Sequence, residues 1–335
     1  MRSLARDLGL SAATVSLALR DSPRVVETTK RRVVAEAARV GYVANPLVGS
    51  VLAAVRRSSH GGFHGALVVL NYSEKADPEL LAFHREILIG AKRRALELGY
   101  SLTHAWLGPH LLAPPRINSI IEARGVRGVI VMPFPETRDF SELNWPGLSG
   151  VAMDYCLSSP LLHTVLPNHQ QSLLTAMEHL VKMGYRRPGL MIEHARDERI
   201  QYRWSAGFYS ACRANFGAIE VPVLTDSPLD RAAFLKWFRR HRPDVVMAHT
   251  QRELKGWLRE LGLSVPRDVG FVALNASECT APCAALDQQP SLLGAAAVES
   301  VVAQVQRNEQ GVPPAPKTIM LPARWGHGPT VRQRA

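Results

Sequence analysis

The stretch Leu4-Ala5-Arg6-Asp7-Leu8-Gly9-Leu10-Ser11-Ala12-Ala13-Thr14-Val15-Ser16 decides how the rest of this 335-residue chain is read. Ala5 puts a small side chain on the apolar face of a first short helix. Gly9 supplies a tight turn, because glycine enters left-handed backbone conformations without a Cβ penalty. Ser11 can then cap a second helix by accepting a hydrogen bond from a free N–H of its first turn. That helix carries Thr14, Val15 and Ser16. A helix, a tight turn and a second helix at this spacing form a helix-turn-helix, in which one helix braces and the next enters a major groove.

The charge agrees with a polyanion partner. The net charge is +11. Residues 1–59 hold ten Lys or Arg against four acids, which places +6 of that total on less than a fifth of the chain. A basic head on a nearly balanced body fits double-stranded DNA better than an evenly solvated surface.

Beyond the second helix, Arg20-Asp21-Ser22-Pro23 reads as a turn. A third helix is expected over about 28–40, with Val33, Val34, Ala37 and Val40 spaced to pack on the first two. Gly41-Tyr42 ends it. Residues 45–57 are small and apolar, open with Asn45-Pro46 and close on Arg56-Arg57. A helix this short is marginal alone and is expected to form against DNA or a second copy. Residues 58–62, Ser-Ser-His-Gly-Gly, read as a linker.

These residues together resemble the LacI/GalR (lactose-repressor) family of bacterial transcription regulators. The resemblance rests on Leu4-Ala5, Gly9-Leu10-Ser11, Thr14-Val15-Ser16, Gly41-Tyr42 and Asn45-Pro46. It implies a homodimer on a pseudo-palindromic operator, with paired hinge helices wedging a minor-groove step. Val51 or Leu52 takes the wedge place, and Asn45 opens the hinge. The family's base-reading places fall on Ala12, Ala13 and Leu17. Alanine can meet a thymine methyl but makes no bidentate hydrogen bond, so direct readout is expected to be weak. Ser11, Thr14, Ser16, Arg20, Arg24 and Thr29 are the expected phosphate contacts. Val15 and Leu19 read as core. The family usually has several residues before this Leu-Ala pair. Either Ser3 caps a shortened first helix here, or the natural start lies upstream.

From Gly65 onward strands and helices alternate for some 260 residues. Apolar runs such as Ala66-Leu67-Val68-Val69-Leu70 are of the fully buried kind. This pattern implies parallel sheets covered on both faces, with too many strands for one sheet and hence two lobes. It resembles the family's effector domain, through words such as Arg124-Gly125-Val126-Arg127-Gly128, Gly184-Tyr185-Arg186-Arg187-Pro188 and Val265-Pro266-Arg267-Asp268-Val269-Gly270. The expected fold class is therefore an all-α helix-turn-helix head plus an α/β two-lobed periplasmic-binding-protein-like (type I) effector domain. The expected domains are a head at 1–44, a hinge helix and linker at 45–64, and a body at 65–335. Lobe 1 is placed at about 65–167 and 287–316, and lobe 2 at about 168–286 and 317–335, with the last crossing near 315–317.

Ligands in such folds sit at the carboxyl ends of strands, between lobes. That reasoning points to Asn71, Tyr72, Phe134 and Asp154 in lobe 1, and to Glu193, Arg203, Trp204, His249 and Asn275 in lobe 2. Compared with the family's sugar binders, Trp204 stands where a ligand-clamping Arg is usual, His249-Thr250 replaces Asn-Asp, and Asn275 replaces Asp. Fewer carboxylates mean fewer bidentate acceptors for a sugar. Trp204 can stack on a sugar or nucleoside face, or serve simply as a core aromatic. The effector is expected to be a small molecule, sugar- or nucleoside-like, or absent.

Other chemistries find little support. The four cysteines are scattered and read as unpaired small hydrophobes in a reducing cytoplasm. Cys279 and Cys283 lack a second ligand pair, so no metal and no cofactor are expected. Phosphate-loop, nucleophile-elbow and His-Glu-x-x-His words do not occur. No eighteen-residue apolar run suggests a membrane span. The second reading, from another class, is a soluble small-molecule-binding protein whose head has lost specific DNA reading.

Overall fold

The computed structural model describes residues 2–19, 22, 25–39, 64–134, 136–218, 220–226, 229–249 and 251–334. It divides into two units, 1–63 and 64–335.

In the first unit three helices are described: α1 (Arg2–Asp7), α2 (Ala12–Ala18) and α3 (Glu27–Arg39). Gly9 turns the chain at φ +67, and the N–H of Leu10 donates back to the Ala5 carbonyl at 2.9 Å. The Ser11 hydroxyl accepts from the Thr14 N–H at 3.0 Å and so caps α2. Ala5, Val15, Ala18, Val25, Val33 and Ala37 form a small core, and Leu8, Leu10, Leu17 and Leu19 pack around it. Val34 departs from expectation. It is 54% exposed, because Val33 and Ala37, four residues apart, already define the buried stripe. Ser3 lies inside α1.

The second unit contains two sheets. Six parallel strands form the first, in the order β12-β7-β5-β3-β1-β2. They are β1 (Gly65–Tyr72), β2 (Tyr100–Leu107), β3 (Val126–Val131), β5 (Ser149–Met153), β7 (His163–Pro167) and β12 (Thr318–Leu321). A short pair, β4 (Arg138–Asp139) with β6 (Leu157–Ser159), lies apart. Strand periodicity sorts β1 between two cores. Leu67 and Val69 pack with α4 (Ala82–Glu97) and α11 (Pro290–Arg307). Ala66, Val68 and Leu70 face the opposite way, toward Ile117 and Ile121 of α5 (Pro114–Ala123) and toward Phe134, Phe140 and Trp145.

The second sheet has the order β13-β11-β10-β9-β8, from β8 (Pro188–Met191), β9 (Val245–Ala248), β10 (Gly270–Ala273), β11 (Ala284–Asp287) and β13 (Arg324–Gly326). Its first four strands run parallel, and β13 lies antiparallel to β11. Alternation again divides the side chains. Leu190, Val245, Met247 and Val272 pack on α6 (His169–Lys182) and α8 (Arg203–Phe216). Met191, Val246, Phe271 and Ala273 pack on α9 (Arg231–His241) and α10 (Gln251–Glu260). A further short helix, α7 (His194–Arg199), follows β8.

The chain passes from one sheet to the other after Pro167, between Asp287 and Pro290, and between Leu321 and Arg324. The last passage corrects the expectation of 315–317. Thr318–Leu321 pairs in parallel with Thr164–Pro167 and therefore belongs to lobe 1. The expected strand at 221–224 shrinks to a single bridge between Leu224 and Met191. Cys279 and Cys283, read as unpaired, are joined as a disulfide.

Candidate functional site

The carboxyl ends of both sheets border a cleft of about 370 Å³. Lobe 1 supplies Leu81, Phe83, His84, Phe134, Met153 and Asp154 to its wall, and lobe 2 supplies His169, Arg196, Arg199, Trp204, His249 and Glu278. Three short connections hold these groups in place. Asp154 leaves β5 at φ +60, which turns its carboxylate back toward the cleft. Asn168 caps α6 by accepting from the Gln171 N–H at 3.1 Å, so His169 stands at the helix start beside the first passage between lobes. Asn275 accepts from the Ser277 N–H at 3.1 Å, closing the turn that presents Glu278.

Contacts of Arg199 and Arg203 bridge the lobes. Arg199 donates to the Asp154 carboxylate at 2.7 Å, with the two side chains 17% and 10% exposed. Arg203 donates to the Tyr155 hydroxyl at 2.7 Å and stacks over that ring. Burial pushes the Asp154 carboxyl up. The Arg199 charge, His169, the Arg199 hydrogen bond and the Tyr155 N–H together outweigh it, so its pKa lies below the ordinary value. On the facing loop, Glu278 meets His249 Nδ1 at 3.2 Å and Arg196 at 3.5 Å. Burial opposes its ionisation too, but the bond and charge of His249, then Arg196 and Asn275, bring it to about 2. Trp204 is 1% exposed. Its indole contacts the ring of His169 at 4.7 Å and that of His249 at 6.0 Å between centroids.

The residues expected at the effector site fall into two groups. Phe134, Asp154, Glu193, Trp204, His249 and Asn275 all line the cleft. Asn71, Tyr72 and Arg203 do not border it. Asn71 is buried, with its side-chain oxygen taken by the Tyr72 N–H at 3.0 Å. Tyr72 donates to Glu74 and lies under Arg138. Trp204 is core and cleft wall at once. Sequence reading missed His84, His169, Arg196, Arg199, Glu278 and Gln288. His169 follows Pro167-Asn168, a crossover signal, and could have been found from it. Arg196 and Arg199 come from a helix of only six residues, for which no periodicity exists to read.

Of the residues expected to meet DNA, Ser11, Thr14, Leu17 and Thr29 lie in the described head. Leu17 is half-buried against its core, which accounts for an apolar residue at that place. The backbones of Ala12, Ala13 and Ser16 lie in α2. Arg20, Arg24, Asn45, Val51 and Leu52 lie outside the described residues. Among the described residues, no group of three His, Cys, Asp or Glu could hold a metal ion, and no helix is long and apolar enough to cross a membrane.

Comparison with known proteins bears on both units. Residues 177–330 match a periplasmic binding protein-like domain. The HTH-type transcriptional regulator reg1 of Streptomyces lividans is 26% identical, over 98% of this chain and 96% of its own. Among solved structures, the lac repressor dimer bound to operator is 19% identical with a TM-score of 0.56. The CelR–cellobiose complex is 20% identical with a TM-score of 0.57. In each case 98% of both chains is covered. Proteins described as HTH-type transcriptional regulators are thus matched along nearly the whole length of this chain.

Proposed function

We propose that this chain is a transcriptional regulator of the LacI/GalR family, a cytoplasmic homodimeric repressor that binds a pseudo-palindromic operator and is controlled by a small molecule in the interlobe cleft. The head at 1–44 reads one half-site through α2, and 45–64 serves as the hinge. The observation that carries this reading is the cleft itself. It stands where both sheets end, three chain passages run beside it, and the Asp154–Arg199 pair spans it. A ligand there changes the angle between lobes, and a change of lobe angle is how such a body can alter the spacing of two hinge segments. The operator-bound lac repressor and cellobiose-bound CelR support the two halves of the proposal in turn.

On the DNA side, phosphate contacts from Ser11, Thr14, Ser16, Arg20, Arg24 and Thr29 position the head. Ala12, Ala13 and Leu17 contribute little direct reading. Sequence preference then comes largely from the deformability of a central step, where Val51 or Leu52 wedges the minor groove. The test is selection from a random duplex pool with the full chain at moderate salt. Enrichment of a pseudo-palindrome with a flexible central step is expected. Salt-sensitive binding without any enriched sequence would refute the operator reading and favour a small-molecule binder that only grips phosphates.

A further inference from the structure

Four charged groups of the cleft, Asp154, Arg199, Glu278 and Arg196, are already engaged with one another. Asp154 serves Arg199 and the Tyr155 N–H. Glu278 takes His249, Arg196 and the Asn275 amide. What remains unspent is imidazole. His169 is 5% exposed and lines the cleft, yet neither of its ring nitrogens has a hydrogen-bond partner. Nε2 of His249, which also lines the cleft, has none. A buried polar atom without a partner costs stability, and folded proteins keep few of them. Here three flank a single indole, that of Trp204.

Their protonation states follow from their surroundings. Nδ1 of His249 faces the Glu278 carboxylate and so carries the proton, which leaves Nε2 as a bare acceptor. His169 faces Asp154, His249, Arg199 and Arg203. Burial holds it down at about 4 against the pull of Asp154, with His249, Arg199 and Arg203 adding to the depression. At neutral pH it therefore offers one donor and one acceptor and no charge. A hydroxyl matches this pair, because it can accept from His169 while donating to His249. An anion would have to compete with the Glu278 and Asp154 carboxylates for Arg196 and Arg199. Leu81, Phe83, Phe134 and Leu293 add apolar wall beside them.

We propose that His169 and His249 are the polar contact points for the effector, and that they select an uncharged hydroxylated ligand over an anionic one. The inference rests on the reading of the cleft as the effector site. Its sign of function is a trade of stability for binding, since the ligand satisfies nitrogens that the fold leaves bare.

The test is thermal unfolding of the full-length chain and its variants, alone and with four probes: glucose, cellobiose, glucose 6-phosphate and gluconate. His169→Phe keeps a ring against Trp204 and removes both bare nitrogens. It is expected to melt a few degrees above the parent protein without ligand, and to lose at least tenfold in affinity for the uncharged sugars. His169→Gln, which retains a donor and an acceptor, should recover part of that affinity. A His169→Phe protein that melts at or below the parent temperature overturns the proposal. So does a panel in which the anions bind as well as the uncharged sugars, or in which no uncharged sugar binds. Trp204→Phe separates this failure from that of the cleft reading. If Trp204→Phe alters the response to an anion, the cleft stands and the selectivity falls. If it alters no response, the cleft reading falls as well.

Discussion

Arg199 of α7 and Asp154 at the end of β5 form a nearly dry ion pair 2.7 Å apart that ties one lobe to the other. The pair lies in the wall of the cleft, so whatever enters there is in contact with the tie. Its strength depends on both partners being present. Desolvating two charges offsets much of their attraction, whereas removing one leaves the other buried and uncompensated.

Arg199→Met should therefore destabilise the body by about 3–5 kcal/mol, the usual cost of breaking a buried pair from one side. Adding Asp154→Asn should restore most of that loss, since asparagine tolerates the left-handed backbone at 154 and carries no charge. Urea unfolding of the two proteins measures the difference. A double variant as unstable as Arg199→Met alone would mean that the pair acts through packing and not through charge.

Acid should weaken the body in two stages. His169 is held at about 4 by burial, against Asp154 and helped by His249, Arg199 and Arg203. His84 is held at about 4 by burial and Arg199, against Asp154 and Glu278. Both are neutral in the fold yet titrate near 6.5 when unfolded. Their contribution is complete above pH 6.5 and declines between 6.5 and 4, by roughly 1.4 kcal/mol per pH unit for each group. Asp154 has a depressed folded pKa, so its contribution holds above the unfolded value near 4 and is lost only below it. Unfolding free energies from pH 7.5 to 4 check the first stage. In His169→Phe the slope over 6.5 to 4 should become shallower. An unchanged slope would show that His169 does not titrate as stated.

Much of this was legible in the chain. The left-handed turn at Gly9 and the Ser11 cap follow from residue chemistry alone. So do the buried runs of β1 and β3, which lie at the centre of their sheet and have no polar face to show. The last passage between lobes was misplaced because Thr318–Leu321 is half-exposed and its sheet is set by pairing with β7, which local pattern does not encode. The cleft was legible where a side chain follows a strand directly, as with Asp154 and His249. It was illegible where a helix or a loop swings a residue in from elsewhere, as with Arg199, His84 and Glu278. Asn71 and Tyr72 close a strand as well, yet the Asn71 side-chain oxygen is taken by the Tyr72 N–H and the Tyr72 hydroxyl by Glu74.

Helices α4 and α11 meet backbone to backbone at Gly90 and Gly294. A Cβ on Gly294 would stand 2.0 Å from the Ile87 carbonyl oxygen, and backbone cannot step aside as a side chain can. Gly294→Ala is therefore expected to cost about 1–3 kcal/mol or more through overpacking. Gly256 in α10 meets nothing within 4 Å. There, alanine should stabilise by up to about 1 kcal/mol through helix propensity. Denaturant midpoints of the two variants should move in opposite directions. A neutral Gly294→Ala would show that the helices can separate at little cost.

Ser11 ties the stability of the head to its grip on DNA. Its hydroxyl caps α2 through the Thr14 N–H and meets the Thr14 hydroxyl at 2.8 Å. Ser11→Ala should cost the head about 1 kcal/mol, as cap removal generally does, and should weaken binding to all duplexes alike, because the positions expected to read bases are Ala12, Ala13 and Leu17. Affinity of the parent protein should fall steeply with salt, the slope counting about 0.9 per phosphate neutralised. The slope of Ser11→Ala should stay within one unit of it, since no charge is removed. Filter binding over a salt series, on an operator and on a scrambled duplex, gives both quantities. A larger loss on the operator than on the scrambled duplex would assign Ser11 a part in sequence reading, and a shallow slope would remove the basic head from the contact surface.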